Sequence, residues 1–226
     1  MKIQAIVAAG GTGERMRSPV PKPLLRLGGV PVVVRTLAVF EGCSLVESCV
    51  LVVPDLYIEE YRTAVRAAGL KKVKAVIPGG TTRTGSVREG LRALDRDADM
   101  VIVHDAVRPF VTAAMICKGV ETAAASRAAI AGVPVKSTLK VVDPATHLVN
   151  ATLDRSLVWE VQTPQVFDRA LLDEAYVGEN EATDDAALVE EAGVPVKVFM
   201  GSYRNIKITT PEDMEAAEAF LKGDKG

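Results

Sequence analysis

Residues 3–16 read IQAIVAAGGTGERM. Six uncharged residues, rich in β-branched side chains, predict a buried strand over 3–8 that runs into a glycine-rich turn. Two familiar phosphate motifs fail here. A P-loop closes on Gly-Lys-Ser/Thr, which is missing, and a dinucleotide fingerprint needs a third glycine where Met16 stands. A helix would also have to follow, yet Ser18-Pro19-Val20-Pro21 intervenes. What remains is a small-residue loop after the first strand, at the carboxyl edge of the sheet, where open α/β folds bind ligands. Its N–H groups suit an anion; a plain tight turn is the alternative.

Outward from this stretch, short β-branched runs alternate with helical spacing. Further strands are predicted over 50–53, 73–77, 100–104, 129–133 and 194–199. Between them Ile58, Tyr61, Val65 and Ala68 share one helical face, as do Val87, Leu91 and Leu94, then Ile116, Val120 and Ala123. A final helix starts cleanly, with Thr210 as N-cap, Pro211 in the first position and Met214, Ala217 and Leu221 as its buried stripe. This rhythm predicts an α/β fold: a mostly parallel, Rossmann-like sheet with helices on both faces. Residues 135–155 break it, since 135–153 read as two alternating strands around Asp143-Pro144-Ala145-Thr146. A two-stranded hairpin is marginal alone. It is therefore expected either to project as a β-arm covered by a second copy of the chain or to fold back on its own domain.

The composition narrows the function classes. The 226 residues carry 27 Lys+Arg against 29 Asp+Glu, a net charge of −2, with 48% apolar and 25% charged residues. That is a globular chain, taken as one domain over 1–226, whose overall balance does not suit nucleic-acid coating. No apolar run reaches the length of a membrane span, and no signal-peptide pattern opens the chain, so a cytoplasmic setting is expected. Cys43, Cys49 and Cys117 are odd in number and form no C-x-x-C, which reads as reduced thiols. Two histidines, His104 and His147, exclude a multi-histidine metal centre.

Several cations gather around predicted strand ends. Arg15 leaves the first loop, and Lys22 is held between Pro21 and Pro23, which stiffens the backbone presenting its ammonium. Asp105 and Arg108 follow the fourth strand, either as ligands for a metal or hydroxyl and a phosphate, or as an ion pair with each other. His104 reads as a satisfied core histidine and Trp159 as core. Lys207 lies in an apolar run and wants an anionic partner. Thr183-Asp184 reads either as site or as an ordinary helix start.

These stretches occur in a characteristic order: AAGGTGERM (8–16), PKP (21–23), GGTTRTGSV (79–87), HDAVRP (104–109), VPVKSTLK (133–140), TLDR (152–155) with Trp159 after it, QTPQ (162–165), ATDD (182–185) and NIKITTPED (205–213). The ordered set resembles the 2-C-methyl-D-erythritol 4-phosphate cytidylyltransferase family. The resemblance implies a homodimer embraced through the β-arm, with CTP as co-substrate and Mg²⁺ as cofactor. The cytidylyl group would pass to methylerythritol phosphate with release of pyrophosphate. It implies that Arg15 and Lys22 stabilise the transition state, and that Arg155 and Lys207 hold the polyol phosphate. Ala8, Ala9, Gly10, Gly11, Gly13, Gly79, Gly80, Thr81, Ser86 and Ala106 would line the nucleotide site. Asp105, Arg108, Thr138, Thr163 and Thr183 would face the second substrate or the metal, whose ligands are not specified.

The chain departs from the family's usual spelling at Ala8, Gly10, Pro23, Thr81 and Ser137, none of which removes a cation. The AGGTG spelling also occurs in ribitol 5-phosphate cytidylyltransferases, whereas TLDR with the following Trp favours methylerythritol phosphate. A non-catalytic nucleotide-binding module is the reading from another class.

Overall fold

The computed structural model describes residues 1–10, 20–178 and 180–223. Its centre is a seven-stranded sheet of β1 (Ile3–Ala8), β4 (Ser48–Val53), β5 (Val73–Pro78), β6 (Met100–Asp105), β7 (Ala128–Pro134), β10 (Trp159–Asp168) and β11 (Lys197–Met200). Two short ladders stand apart, β2 (Arg26–Leu27) with β3 (Val30–Pro31), and β8 (Lys140–Val142) with β9 (Val149–Thr152). The helices are α1 (Val32–Gly42), α2 (Ile58–Ala67), α3 (Arg83–Ala93), α4 (Ala113–Ser126), α5 (Arg169–Ala175), α6 (Asp185–Glu191) and α7 (Pro211–Gly223). None of the described helices is long and apolar enough to cross a membrane.

The sheet order is β11-β7-β10-β6-β1-β4-β5, parallel throughout except for β10, which runs antiparallel to both β6 and β7. Strand β1 is buried on both faces, as its uncharged run requires. Ala5 and Val7 join the cluster under α1, α2 and α4, while Ile6 packs with Val87 and Leu91 of α3. Gly90 lets α3 lie that close, because a Cβ there would come within 2.6 Å of the Ile6 Cγ2. The order in which strands are added reverses at β1, with β4 and β5 on one side of it and β6 on the other. Loops leaving β1 and β6 therefore open a crevice at their carboxyl ends, the switch point where such sheets bind ligands.

Helix α7 begins as its punctuation predicts. Thr210 Oγ1 accepts from the Asp213 amide, and the Asp213 carboxylate accepts from the Thr209 and Thr210 amides. Ala217 is fully buried, with Met214 and Leu221 packed beside it.

Four expectations need correction. Strand β10 was hidden because Gln162-Thr163-Pro164-Gln165 breaks its apolar pattern, and the ladder to β7 is itself irregular between Val161 and Gln165. The last strand is Lys197–Met200 rather than 194–199; Val194 and Val196 precede it, partly buried against the core cluster on the α3 side of the sheet. Trp159 is 37% exposed and not core, because it lies where β10 leaves the sheet towards the hairpin. Ala68 is exposed beyond the end of α2. The hairpin of residues 135–155 stands off the main sheet with both strands exposed. Its turn is tied by the Asp143 carboxylate, which accepts from the Ala145 and Thr146 amides.

Candidate active site

Three strand ends and two helix starts meet at the crevice. From β1 come Ala8, Ala9 and Gly10. From β6 comes Asp105, at the last position of the strand. Lys22 sits in a single 3₁₀ turn, Lys22–Leu24, between its two prolines, and is only 9% exposed. The loop before α3 folds tightly over the helix's first turn. Thr82 caps it through its Oγ1, accepting from the Gly85 amide at 2.9 Å, and Ser86 Oγ donates back to the Thr82 carbonyl. At Gly80 a Cβ would lie 2.8 Å from the Gly85 carbonyl carbon, so only glycine fits.

These elements enclose two adjoining cavities. The first, about 320 Å³, is lined by the β1 loop, Lys22, Thr81–Arg83 and Ser86. The second, about 460 Å³, lies between Gln162, Thr163 and Gln165 of β10, Arg108, and the start of α6 with Thr183 and Asp184. Arg83, Asp105 and Lys207 line both. The two cavities thus share one wall.

Asp105 organises that wall. Its carboxylate lies 2.9 Å from Lys207 Nζ, 3.5 Å from Arg108 Nε and 3.7 Å from Arg83 Nε. Burial alone would raise its pKa, but Lys207, Arg83 and Arg108 together hold it well below the ordinary carboxylate range. Lys207 has the anionic partner its apolar run called for. The Asp105–Arg108 pair is present, but within a larger cluster and not as an isolated bridge. Arg108 also donates from Nη1 to the Asn205 carbonyl at 2.9 Å, which ties the β6 turn to the segment carrying Lys207.

Arg83 was not among the expected site residues. Its Nη2 donates to Asp185 Oδ2 at 2.6 Å, and Asp185 is fully buried, accepting also from the Tyr176 hydroxyl. Burial opposes Arg83's charge, and Asp185 outweighs it, so the guanidinium is held more firmly protonated than usual. GGTTRTGSV offered one clue: an arginine opening a helix two threonines after a glycine pair.

The other expected residues divide by place. Gly11, Gly13 and Arg15 lie outside the described residues. Gly79 packs against Ser86 behind the first cavity, and Gly80 lies beside it on the outer face of the same loop. Ala106 does not line either cavity. It is fully buried, its amide bonded to the Ala8 carbonyl and its carbonyl to the Thr36 hydroxyl. Thr183 lines the second cavity, and next to it Asp184 caps α6 through the Ala187 amide, so the helix-start reading of that pair holds. Thr138 and Arg155 are exposed on the hairpin and line neither cavity of their own chain, Arg155 donating to the Lys136 carbonyl. Cys43, Cys49 and Cys117 are unpaired.

His104 is the satisfied core histidine its position suggested, bonded on both ring nitrogens and fully buried. Burial pulls its pKa from the ordinary 6.5 down to about 4. Between those values the unfolded chain binds a proton that the folded chain refuses, so stability falls as pH drops from 6.5 towards 4. Asp105 adds to the loss only below its ordinary 3.8. Urea unfolding at about pH 7.5 and 4.5 is expected to show the wild type losing about 2–3 kcal/mol more than a His104→Gln variant. Equal losses would show that the folded imidazole protonates freely.

Comparison with known proteins converges on one group. The family model described as 2-C-methyl-D-erythritol 4-phosphate cytidylyltransferase matches residues 3–223. A protein of that name from Syntrophus aciditrophicus is 43% identical over 230 residues, covering all of this chain and 98% of the relative. One from Pelotomaculum thermopropionicum is 44% identical, covering all of this chain and 96% of the relative. Among solved structures, 4-diphosphocytidyl-2C-methyl-D-erythritol synthase from Anaerococcus prevotii superposes with a TM-score of 0.85 at 32% identity, over 98% of this chain and 96% of that one. With a matching sequence from end to end, a matching fold and two cavities sharing a cationic wall, the chain belongs to the 2-C-methyl-D-erythritol 4-phosphate cytidylyltransferase family.

Proposed function

We propose that this protein transfers a cytidylyl group from CTP to 2-C-methyl-D-erythritol 4-phosphate, giving 4-CDP-2-C-methyl-D-erythritol and pyrophosphate. The observation that carries the reading is the wall of Arg83, Asp105 and Lys207 common to both cavities. A nucleotide in the first and a polyol phosphate in the second would meet there. A phosphate oxygen of the polyol attacks the α-phosphorus; the bond to the β-phosphate bridging oxygen breaks, and pyrophosphate leaves with the electron pair. The attacking monoester is already largely ionised at neutral pH, so the site needs no general base.

The difficulty is electrostatic, about −2 approaching about −4. Arg15, Lys22, Arg108, Arg155 and Lys207 supply five positive charges, and in this reading Arg15 and Lys22 stabilise the charge developing at the α-phosphate. Lys207, with Thr183 beside it, holds the polyol phosphate. Catalysis is then positioning and charge stabilisation. Magnesium belongs to this scheme as an ion carried by the triphosphate. No group of three or more His, Cys, Asp or Glu suited to a metal is found among the described residues, and Asp105, the carboxylate common to both cavities, is already met by three cations. Its ligands would be phosphate oxygens and water, neutralising triphosphate charge. Incubation with CTP, Mg²⁺ and either methylerythritol phosphate or ribitol 5-phosphate tests the reading through pyrophosphate release. Turnover on ribitol 5-phosphate alone would reassign the polyol, and CTP binding without turnover on either would make this a binding module.

The β-arm supports a homodimer. Val141, Val142, Leu148, Val149, Leu153 and Leu157 are all exposed on or beside the hairpin, an apolar surface that a second copy would cover. Arg155 and Thr138 then complete the partner's cavity, since they line neither of these two cavities in their own chain. Mixing Lys22→Ala and Arg155→Ala proteins should restore roughly a quarter of normal activity, because half the dimers are hybrids with one intact site. No recovery after confirmed subunit exchange would return Arg155 to its own site. The free thiols suit a reducing, cytoplasmic setting.

A further inference from the structure

The hydrogen bonds around His104 form a chain whose direction is fixed by elementary chemistry. Nε2 lies 3.2 Å from the Arg108 carbonyl oxygen. A carbonyl only accepts, so Nε2 carries the hydrogen. A neutral imidazole has one N–H, which leaves Nδ1 as an acceptor, 2.9 Å from Thr163 Oγ1. The Thr163 hydroxyl therefore donates to His104 and, with a lone pair, accepts from the Asp105 amide at 3.1 Å. Its single proton is committed, so Thr163, although it lines the second cavity, has none to offer an acceptor-only phosphate.

Residues 105–108 form a turn closed by the Arg108 amide on the Asp105 carbonyl, at 3.0 Å. One imidazole thus grips both ends of that turn: the Arg108 carbonyl directly and the Asp105 amide through Thr163. The same threonine's carbonyl accepts from Asn205 Nδ2 at 2.8 Å, two residues before Lys207. His104 itself lines neither cavity and packs its ring against Phe40. We propose that His104, as the neutral Nε2–H tautomer acting through Thr163, is a positioning residue that sets Asp105 and Arg108, and through Asp105 also Lys207, at the junction of the two cavities. Its effect on turnover rests on the proposed transfer reaction; its effect on geometry does not.

Three readouts test this. With only two histidines in the chain, ¹⁵N spectra with a His147→Gln control assign His104. An unprotonated Nδ1 at neutral pH is expected, and a protonated one overturns the proposal. In Thr163→Val the Asp105 amide should exchange at least about tenfold faster while the Val101 and Val103 amides keep their protection; unchanged exchange at Asp105 overturns it. With saturating substrates, Thr163→Val should lower kcat by about ten- to a hundredfold with KM for CTP changed less than about threefold, and Thr163→Ser should restore most of it. Equal kcat for Val, Ser and wild type overturns the positioning role. If the wild type releases no pyrophosphate from any polyol phosphate, the reaction reading fails, and the tautomer and exchange data still decide the geometry. Should Thr163→Val not fold, His104→Asn, which keeps the acceptor for Thr163, must retain more Asp105 protection than His104→Gln, which keeps only the donor to Arg108.

Discussion

Replacing Lys22 by Ala is expected to lower kcat by about a hundred- to a thousandfold, the scale seen when one preorganised donor to a developing charge is removed. Two prolines fix its backbone and its side chain is largely buried at the mouth of the first cavity. Little reorganisation is then required when charge builds on the α-phosphate. Because the lysine sits in a one-turn element rather than in the sheet, the far-ultraviolet dichroism should be unchanged. Pyrophosphate release under saturating substrates checks the prediction. Turnover within threefold of wild type would remove Lys22 from the transition state. Lys22→Arg keeps the charge but not the compact ammonium, and should recover only part of the loss.

The second large effect concerns stability. Asp185→Ala leaves the Arg83 guanidinium without the carboxylate it donates to at 2.6 Å and takes the acceptor from the buried Tyr176 hydroxyl. Breaking a buried pair in this way costs about 3–5 kcal/mol. For a chain of this size that corresponds to a fall in Tm of about 10 °C. Asp185→Asn retains an acceptor and should lose about half as much. Differential scanning calorimetry decides, and a shift under about 2 °C would show that water replaces the carboxylate. The contrast between the two variants is itself informative. Lys22 lines a cavity, where its charge is available to a ligand, whereas Asp185 is buried, where its charge is met by Arg83 within the chain.

Much of the scaffold was legible one residue at a time. Strand β1 could be read because a strand buried on both faces must be apolar throughout, whatever its neighbours are. The α7 start was equally local, since Thr210 and Asp213 bond each other's amides across three residues and Pro211 fits the first helical position. His104 betrayed itself as core by the apolar run around it. Strand β10 escaped for the opposite reason. Its middle, Gln162–Gln165, is polar because Gln162 bonds Ser202 and Asn205 and Gln165 bonds Asp184 and the Ala186 amide, so buried hydrogen bonding erased the pattern by which strands are recognised. Arg83 looked like any helix-start cation until Asp105 and Asp185 were brought beside it.

The amino-acid sequence by itself determined the alternation of strands and helices, the position of the crevice, and the set of cations available to it. Those depend on residue type and spacing, which act over a few residues. Tertiary structure decided which cations share a cavity. It joined Lys22 to Lys207 across nearly the whole chain, removed Arg155 and Thr138 to an exposed arm, and added Arg83 through a buried partner. The physical reason is that charge acts through space: a few ångströms between side chains 102 residues apart count for more than any local spacing.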